Sequence, residues 1–340
     1  MKWNKDKLKQ LYKDKQAREE LKPLFNSYWD ILHLTEGFNS SISKTLLSDL
    51  DYLNYFPFME EYIGSALEKM SDILNIPPLE NILVNQTTLD LTYAFYESLD
   101  IDLFTIFQKV FANNQDNIAF KTASIFDISN GYTYMCSSQN EVFIKILNSH
   151  NLQDVLTLIH EFGHAIFFII KPNNQQNIVS NCYDEIEGLF LELLALDFLE
   201  HFPEYQQDVQ TLRNTFYIDL FCELSILNNK YDIYHYGEDY SAYNDDFKPK
   251  AFLKEYRHIF GYSKRDIKQT LKLPAEKYLI YAYPRLIAIE LYQLYHLNPE
   301  KALWVFKQII MQDFNSEIEF NEYLKRMGIY PSSHVNILER

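Results

Sequence analysis

Residues 151–168 read Asn-Leu-Gln-Asp-Val-Leu-Thr-Leu-Ile-His-Glu-Phe-Gly-His-Ala-Ile-Phe-Phe. Apolar residues recur here at helical spacing, and Asn151 or Asp154 stands near the start, where the first turn needs a cap. The stretch therefore predicts a helix. On a helix, positions i and i+4 project from one face about one turn apart. His160 and His164 can thus bring both imidazoles to one metal ion. Glu161 sits beside the first of them, near a metal-bound water but not on the metal. This is the pattern zinc chemistry uses: the ion brings a bound water's pKa near 7, and an adjacent carboxylate takes the proton. The bland alternative is two histidines and a glutamate on a surface helix. Leu158, Ile159, Phe162, Ile166, Phe167 and Phe168 surround the motif and argue against a surface position. A buried His-Glu-His cluster without a metal would need other partners.

A catalytic zinc takes three protein ligands. The next helix, expected within Cys182–Leu199, offers Asp184, Glu185, Glu187 and Glu192. Glu185 and Glu192 are seven positions apart and share a helix face with Leu189, whereas Glu187 falls on the opposite side. Glu185 is therefore the candidate third ligand. Glu192 is the candidate acceptor that orients a ligand imidazole, and Glu187 is expected in solvent. No third histidine follows shortly after His164, which excludes the three-His spacing.

The rest of the chain frames this pair of helices. Only 8 glycines and 11 prolines interrupt 340 residues that are 47% apolar, and Leu, Ile, Glu and Lys are common. The expected fold is mainly α, a large helical body with a small β-sheet beside the HExxH helix. Thr88–Ala112 reads as two helices joined around Asp100-Ile101-Asp102. After a turn cluster at Asn113–Asn117 come β-type runs at Ala119–Ile128, Tyr132–Cys136 and Glu141–Leu147, the last expected as an edge strand. Polar loops are expected at Lys171–Ser180 and Asn228–Lys250. The 26 tyrosines and 25 phenylalanines read mostly as a bulky core with hydroxyls at its edges.

Charge narrows the partners. A net charge of −16 argues against nucleic acid. Residues 1–22 carry eight Lys/Arg against four acids, leaving −20 on the remainder. That basic segment reads as a solvated helix face lying on an acidic body. The three cysteines, Cys136, Cys182 and Cys222, are widely spaced with no CxxC, which excludes a thiolate zinc site and fits a reducing compartment. With no apolar leader and no expected membrane span, the expectation is a cytoplasmic protein.

Asn151–Phe168 and Tyr183–Leu199 resemble the thimet oligopeptidase and oligoendopeptidase F metallopeptidases. There a DVFTLxHExGH-type helix is followed by one carrying the glutamate ligand and a second glutamate seven residues on. Here these correspond to Asp154–His164, Glu185 and Glu192. Phe126-Asp127 to Leu147 resembles the strand region upstream of the motif, and Tyr278-Leu-Ile-Tyr281-Ala-Tyr283 the Tyr-rich helix facing the zinc. The ending Tyr323-Leu-Lys-Arg-Met-Gly-Ile-Tyr-Pro-Ser-Ser resembles the C-terminal turn. The resemblance covers roughly residues 85–340. It implies a zincin-like catalytic domain there, preceded by a shortened helical region at 1–84. It also implies one zinc ion on His160, His164 and Glu185, with Glu161 as base, and an edge strand that pairs with a peptide substrate. Tyr278 and Tyr281, matching the family's tyrosines, would donate together to an oxyanion.

Two departures stand out. The family carries a histidine shortly before those tyrosines, but Leu271–Lys277 contains none; His258 is a candidate replacement. The shortened front half implies a channel that is more open, or completed by a second copy of the chain as a homo-oligomer. Three classes of function follow: a metallopeptidase cutting short unfolded peptides, a weakened relative that sequesters a peptide without cutting it, and a structural helical protein with an accidental motif. A peptide-library digest separates the first two, and elemental analysis separates both from the third.

Overall fold

The computed structural model describes residues 3–21, 77–122, 130–170, 185–236, 275–312, 314 and 317–330. In chain order these form α1 (Lys5–Lys13), α2 (Lys15–Glu20), α3 (Asn85–Leu99) and α4 (Ile101–Asn114). The strands β1 (Ile118–Lys121), β2 (Gly131–Cys136) and β3 (Glu141–Leu147) follow. Then come α5 (Gln153–Ile170), α6 (Ile186–Glu200), α7 (Gln206–Tyr236), α8 (Ala275–Leu297), α9 (Pro299–Met311) and α10 (Glu317–Met327). The fold is mainly α with one small sheet, as expected.

Two compact units divide the chain. The first, Met1–Gly37, Pro77–Arg213 and Ile287–Ile329, holds the sheet, α5 and α6. Its sheet has the order β1-β3-β2, with β1 parallel and β2 antiparallel to β3. The expected edge strand Glu141–Leu147 is thus the central strand, and β2 is an edge. The reason lies in its composition: Val142, Phe143, Ile144, Ile146 and Leu147 are all buried, the near-continuous run of a strand covered on both faces.

Pleating assigns the faces. Thr133, paired with Ile144, points toward α5, where its hydroxyl meets Glu161. Tyr134, paired with Phe143, points the other way. On that outer face lie α1 and α2, with Trp3, Leu11, Ala17, Leu21, Ala119, Cys136 and Phe143 in one buried cluster. Asn4 caps α1 and Asp14 caps α2 through their side chains. Trp3 Nε1 donates to the Asn117 carbonyl at 2.7 Å, and its ring meets Phe143 edge-on. Lys7 pairs with Glu141 at 2.9 Å, while Lys5, Lys9, Lys13 and Lys15 remain exposed. Glu20 accepts from the backbone N–H and the hydroxyl of Ser138 in the β2–β3 turn.

On the inner face, Tyr96 stacks on Phe107, and both meet Phe162 of α5 edge-on. The Tyr96 hydroxyl donates to the Ile159 carbonyl at 2.9 Å. Asp154 accepts from the backbone N–H groups of Ser149 and His150, stapling the loop that leads into α5. By length and apolarity alone α5 would suffice to cross a membrane, but 67% of it is buried within the fold. Its apolarity is that of a core helix.

The second unit comprises Phe38–Ile76, Asn214–Leu286 and Tyr330–Arg340. In its described part Arg285 lies over the Phe216 ring, 4.8 Å from the centroid, and pairs with Glu223 at 3.1 Å. The helix α7 continues to Tyr236, so the loop expected from Asn228 starts later; the helix absorbs the polar residues 228–230. Pro23, Pro57, the Lys171–Ser180 loop, Gly237, Tyr240, Tyr243 and His258 lie outside the described residues.

Candidate metal centre

The site forms where α5 and α6 cross. Gly188 makes the approach possible: a Cβ there would lie 2.5 Å from Cε1 and Nδ1 of the His160 ring. Any larger residue would force the ring or the helix to shift. The His160 and His164 rings stand 4.7 Å apart and nearly perpendicular, at 82°. Glu185, immediately before α6 in helical conformation, has its carbonyl bound by the Leu189 N–H. The helix expected from Cys182 thus begins at Ile186 among the described residues. One donor atom from each of His160, His164 and Glu185 lies within 4.8 Å of the other two.

Hydrogen bonds select which imidazole nitrogens remain for a metal. His160 Nδ1 lies 2.6 Å from Glu192 Oε1, and His164 Nδ1 lies 3.3 Å from Glu187 Oε1. An ionised carboxylate only accepts, so each Nδ1 carries its hydrogen and each Nε2 is left for coordination. His160 Nε2 is 3.2 Å from Glu185 Oε2. Zinc bonds of about 2.0–2.2 Å in a tetrahedron put adjacent donors roughly 3.3–3.6 Å apart. The donor set suits a zinc ion, and the His160–Glu185 pair stands close to this separation.

Without a metal the same carboxylates favour charged imidazoles. Burial opposes charge on His160, but the hydrogen bonds of Glu185 and Glu192 outweigh it and hold its pKa well above the ordinary value. Burial likewise opposes charge on His164, yet the Glu187 contact brings its pKa up to about 9. A divalent cation would supply the positive charge these groups call for.

Glu161 is 5% exposed and faces β2. Its Oε2 accepts from the Thr133 hydroxyl at 2.6 Å. Burial raises its pKa above the usual carboxylate value, opposed by His164, His160 and the Thr133 hydrogen bond. Gly131, two residues earlier on the strand, gives the carboxylate room: a Cβ there would lie 2.4 Å from Glu161 Oε1.

The structure therefore brings together His160, Glu161, His164, Glu185 and Glu192. It corrects one assignment: Glu187, expected in solvent, is 2% exposed and bound to His164. The first half of α6 is apolar on nearly every side, with Ile186, Leu189, Phe190, Leu191, Leu193 and Leu194 all buried, so around Glu187 it has no solvent side to offer. That apolarity was the available signal for Glu187. Thr133 and Gly131 were not singled out, and a Gly-x-Thr on the strand beside the motif helix is a weak mark. Tyr278 and Tyr281 fall on α8 in the second unit. Tyr281 is half-buried, and the side chain of Tyr278 is outside the described residues.

No protein-family model matches the chain, and no curated protein matches it. Solved structures do. A protein assigned as a peptidase in Chlamydophila abortus superposes with a TM-score of 0.61 at 17% identity, covering 88% of this chain and 55% of that one. An assigned oligoendopeptidase F from Bacillus anthracis gives 0.54 at 14%, covering 82% and 53%. PZ peptidase A with an inhibitor gives 0.55 at 13%, covering 82% and 55%. The chain spans about half the length of these structures. Over that span it has the oligoendopeptidase F fold.

Proposed function

We propose that the chain is a zinc metallopeptidase that hydrolyses peptide bonds in short, unfolded peptides, with residues 85–340 as its catalytic domain. The observation that carries this reading is the convergence of His160, His164 and Glu185 within 4.8 Å beside a buried Glu161. The fold, shared with solved structures described as peptidases, supports it. Zinc, when bound, acts as a Lewis acid and makes water acidic enough to lose a proton near neutrality.

In this reading His160 Nε2, His164 Nε2 and a Glu185 oxygen hold the ion. Glu161 takes a proton from the attacking water and returns it to the leaving amine nitrogen, a role for which a raised carboxylate pKa suits it. The Thr133 hydroxyl holds that carboxylate in place. Among the described residues β2 is an edge of the sheet, where an extended peptide can add as a further strand. Tyr278 and Tyr281, at i and i+3 on α8, are the proposed oxyanion donors. An intact Glu161 bound by its strand favours turnover over sequestration. Glu161→Gln tests this: the variant retains zinc and loses peptide hydrolysis in a peptide-library digest. Cleavage at the parental rate would show that Glu161 is not the base.

A further inference from the structure

Glu187 is an acid buried away from solvent. Its side chain is 3% exposed, on the first turn of a helix whose neighbouring residues Ile186, Leu189, Phe190 and Leu191 are buried. An acid on a first helical turn gains from the helix dipole, but that small surface effect does not explain burial. A buried carboxylate needs a partner, and Glu187 has His164 Nδ1 at 3.3 Å. The close approach at Gly188 sets this pairing. With the α6 backbone against the His160 ring, Glu187 reaches His164 while Glu192, over one turn further on, reaches His160.

We propose that Glu187 is a positioning residue for the metal. By accepting from His164 Nδ1 it fixes the tautomer and ring orientation that present Nε2 to the point where Glu185 and His160 Nε2 converge. The α6 segment then supplies the carboxylate ligand and one orienting acceptor for each imidazole, at positions 185, 187 and 192. An acceptor on only one histidine would leave the other ring free to turn about its Cβ–Cγ bond. This inference rests on the zinc reading, and its test separates the two.

The experiment measures zinc affinity of the full chain by competition with a chromogenic chelator, with thermal melting of the metal-free protein recorded alongside. Glu187→Leu fills the same apolar surroundings but accepts no hydrogen bond, and zinc binding weakens about 10–100-fold. Glu187→Gln keeps an acceptor oxygen and loses less than tenfold. In zinc-loaded wild-type protein, nitrogen NMR shows His164 with its proton on Nδ1, a result that needs no variant. Wild-type zinc affinity in Glu187→Leu, or a His164 proton on Nε2, overturns the proposal even if the variant melts early. Failure of the wild-type chain to bind zinc removes the metal reading itself, a separate outcome visible in the first titration.

Discussion

Replacing Thr133 with valine removes one hydroxyl from the edge strand and leaves the side chain's shape unchanged. Oγ1 carries a single proton. The Glu161 carboxylate at 2.6 Å is a better acceptor for it than the Glu161 carbonyl at 3.0 Å. A hydrogen bond to a charged group contributes about 1.5–3 kcal/mol. With Glu161 only 5% exposed, water replaces little of it. If that contribution holds the base over the water it deprotonates, kcat falls roughly 10- to 150-fold, at about 1.4 kcal/mol per tenfold. KM and zinc content stay near wild type, because neither the metal ligands nor the backbone of β2 changes. Thr133→Ser keeps the hydroxyl and restores most of the rate. The assay is steady-state hydrolysis of a fluorogenic peptide, with zinc measured on the same samples. Parental kcat in Thr133→Val, or an equally slow Thr133→Ser, refutes the role assigned to the hydroxyl.

Four further outcomes are expected. Zinc uptake at pH 7–8 releases protons, because His164 has a pKa of about 9 without metal and its Nε2 must be bare to coordinate; calorimetry in buffers of different ionisation enthalpy counts them, and zero release contradicts the charged imidazole. Since that folded pKa exceeds the ordinary 6.5, the pair stabilises the metal-free fold fully below about pH 6.5 and loses this contribution as pH rises through about 9, so metal-free melting temperatures decline over that window. Gly188→Ala drives a methyl to 2.5 Å from a ring that Glu192 holds at 2.6 Å; overpacking of this kind costs about 1–3 kcal/mol, and zinc affinity drops at least tenfold by chelator competition. Trp3→Ala strips a buried ring from the cluster over Cys136, so in a background without Cys182 and Cys222 the Cys136 thiol reacts faster with an aromatic disulfide reagent, while unchanged labelling would mean the N-terminal helices do not cover it.

Much of the architecture was legible. The spacing of His160 and His164, the carboxylates at Glu185 and Glu192, the two helices around Asp100–Asp102 and the β character of 119–121, 132–136 and 141–147 all follow from periodicity, which burial imposes on a sequence directly; the rest of the run to Ile128 lies outside the described residues. The crossing of α5 and α6 was not legible, because Gly188 reads as an ordinary glycine until the helix it must touch is known. Thr133 was missed for the same reason. Its contact spans 28 positions, and nothing local marks a threonine that faces a glutamate rather than another strand.

The two misreadings, Glu187 in solvent and β3 at the sheet edge, share one cause. Both take a polar residue as the mark of an outer position, Glu187 from its side of the helix wheel and Glu141–Leu147 from the polar residues that bound its apolar core. Here β3 lies between α1/α2 and α5, and the first half of α6 is enclosed around Glu187. For an element enclosed by neighbours, the opposite side of the wheel is simply a different interior. A polar residue there is not solvated; it must be satisfied by whatever packs against it. Glu187 meets His164, and Lys145, on the outer face of β3, lies 4.0 Å from the centroid of the Tyr132 ring. In a chain this apolar, a charged residue inside an otherwise continuous apolar run points to an internal partner, and here one such partner is an imidazole of the candidate metal site.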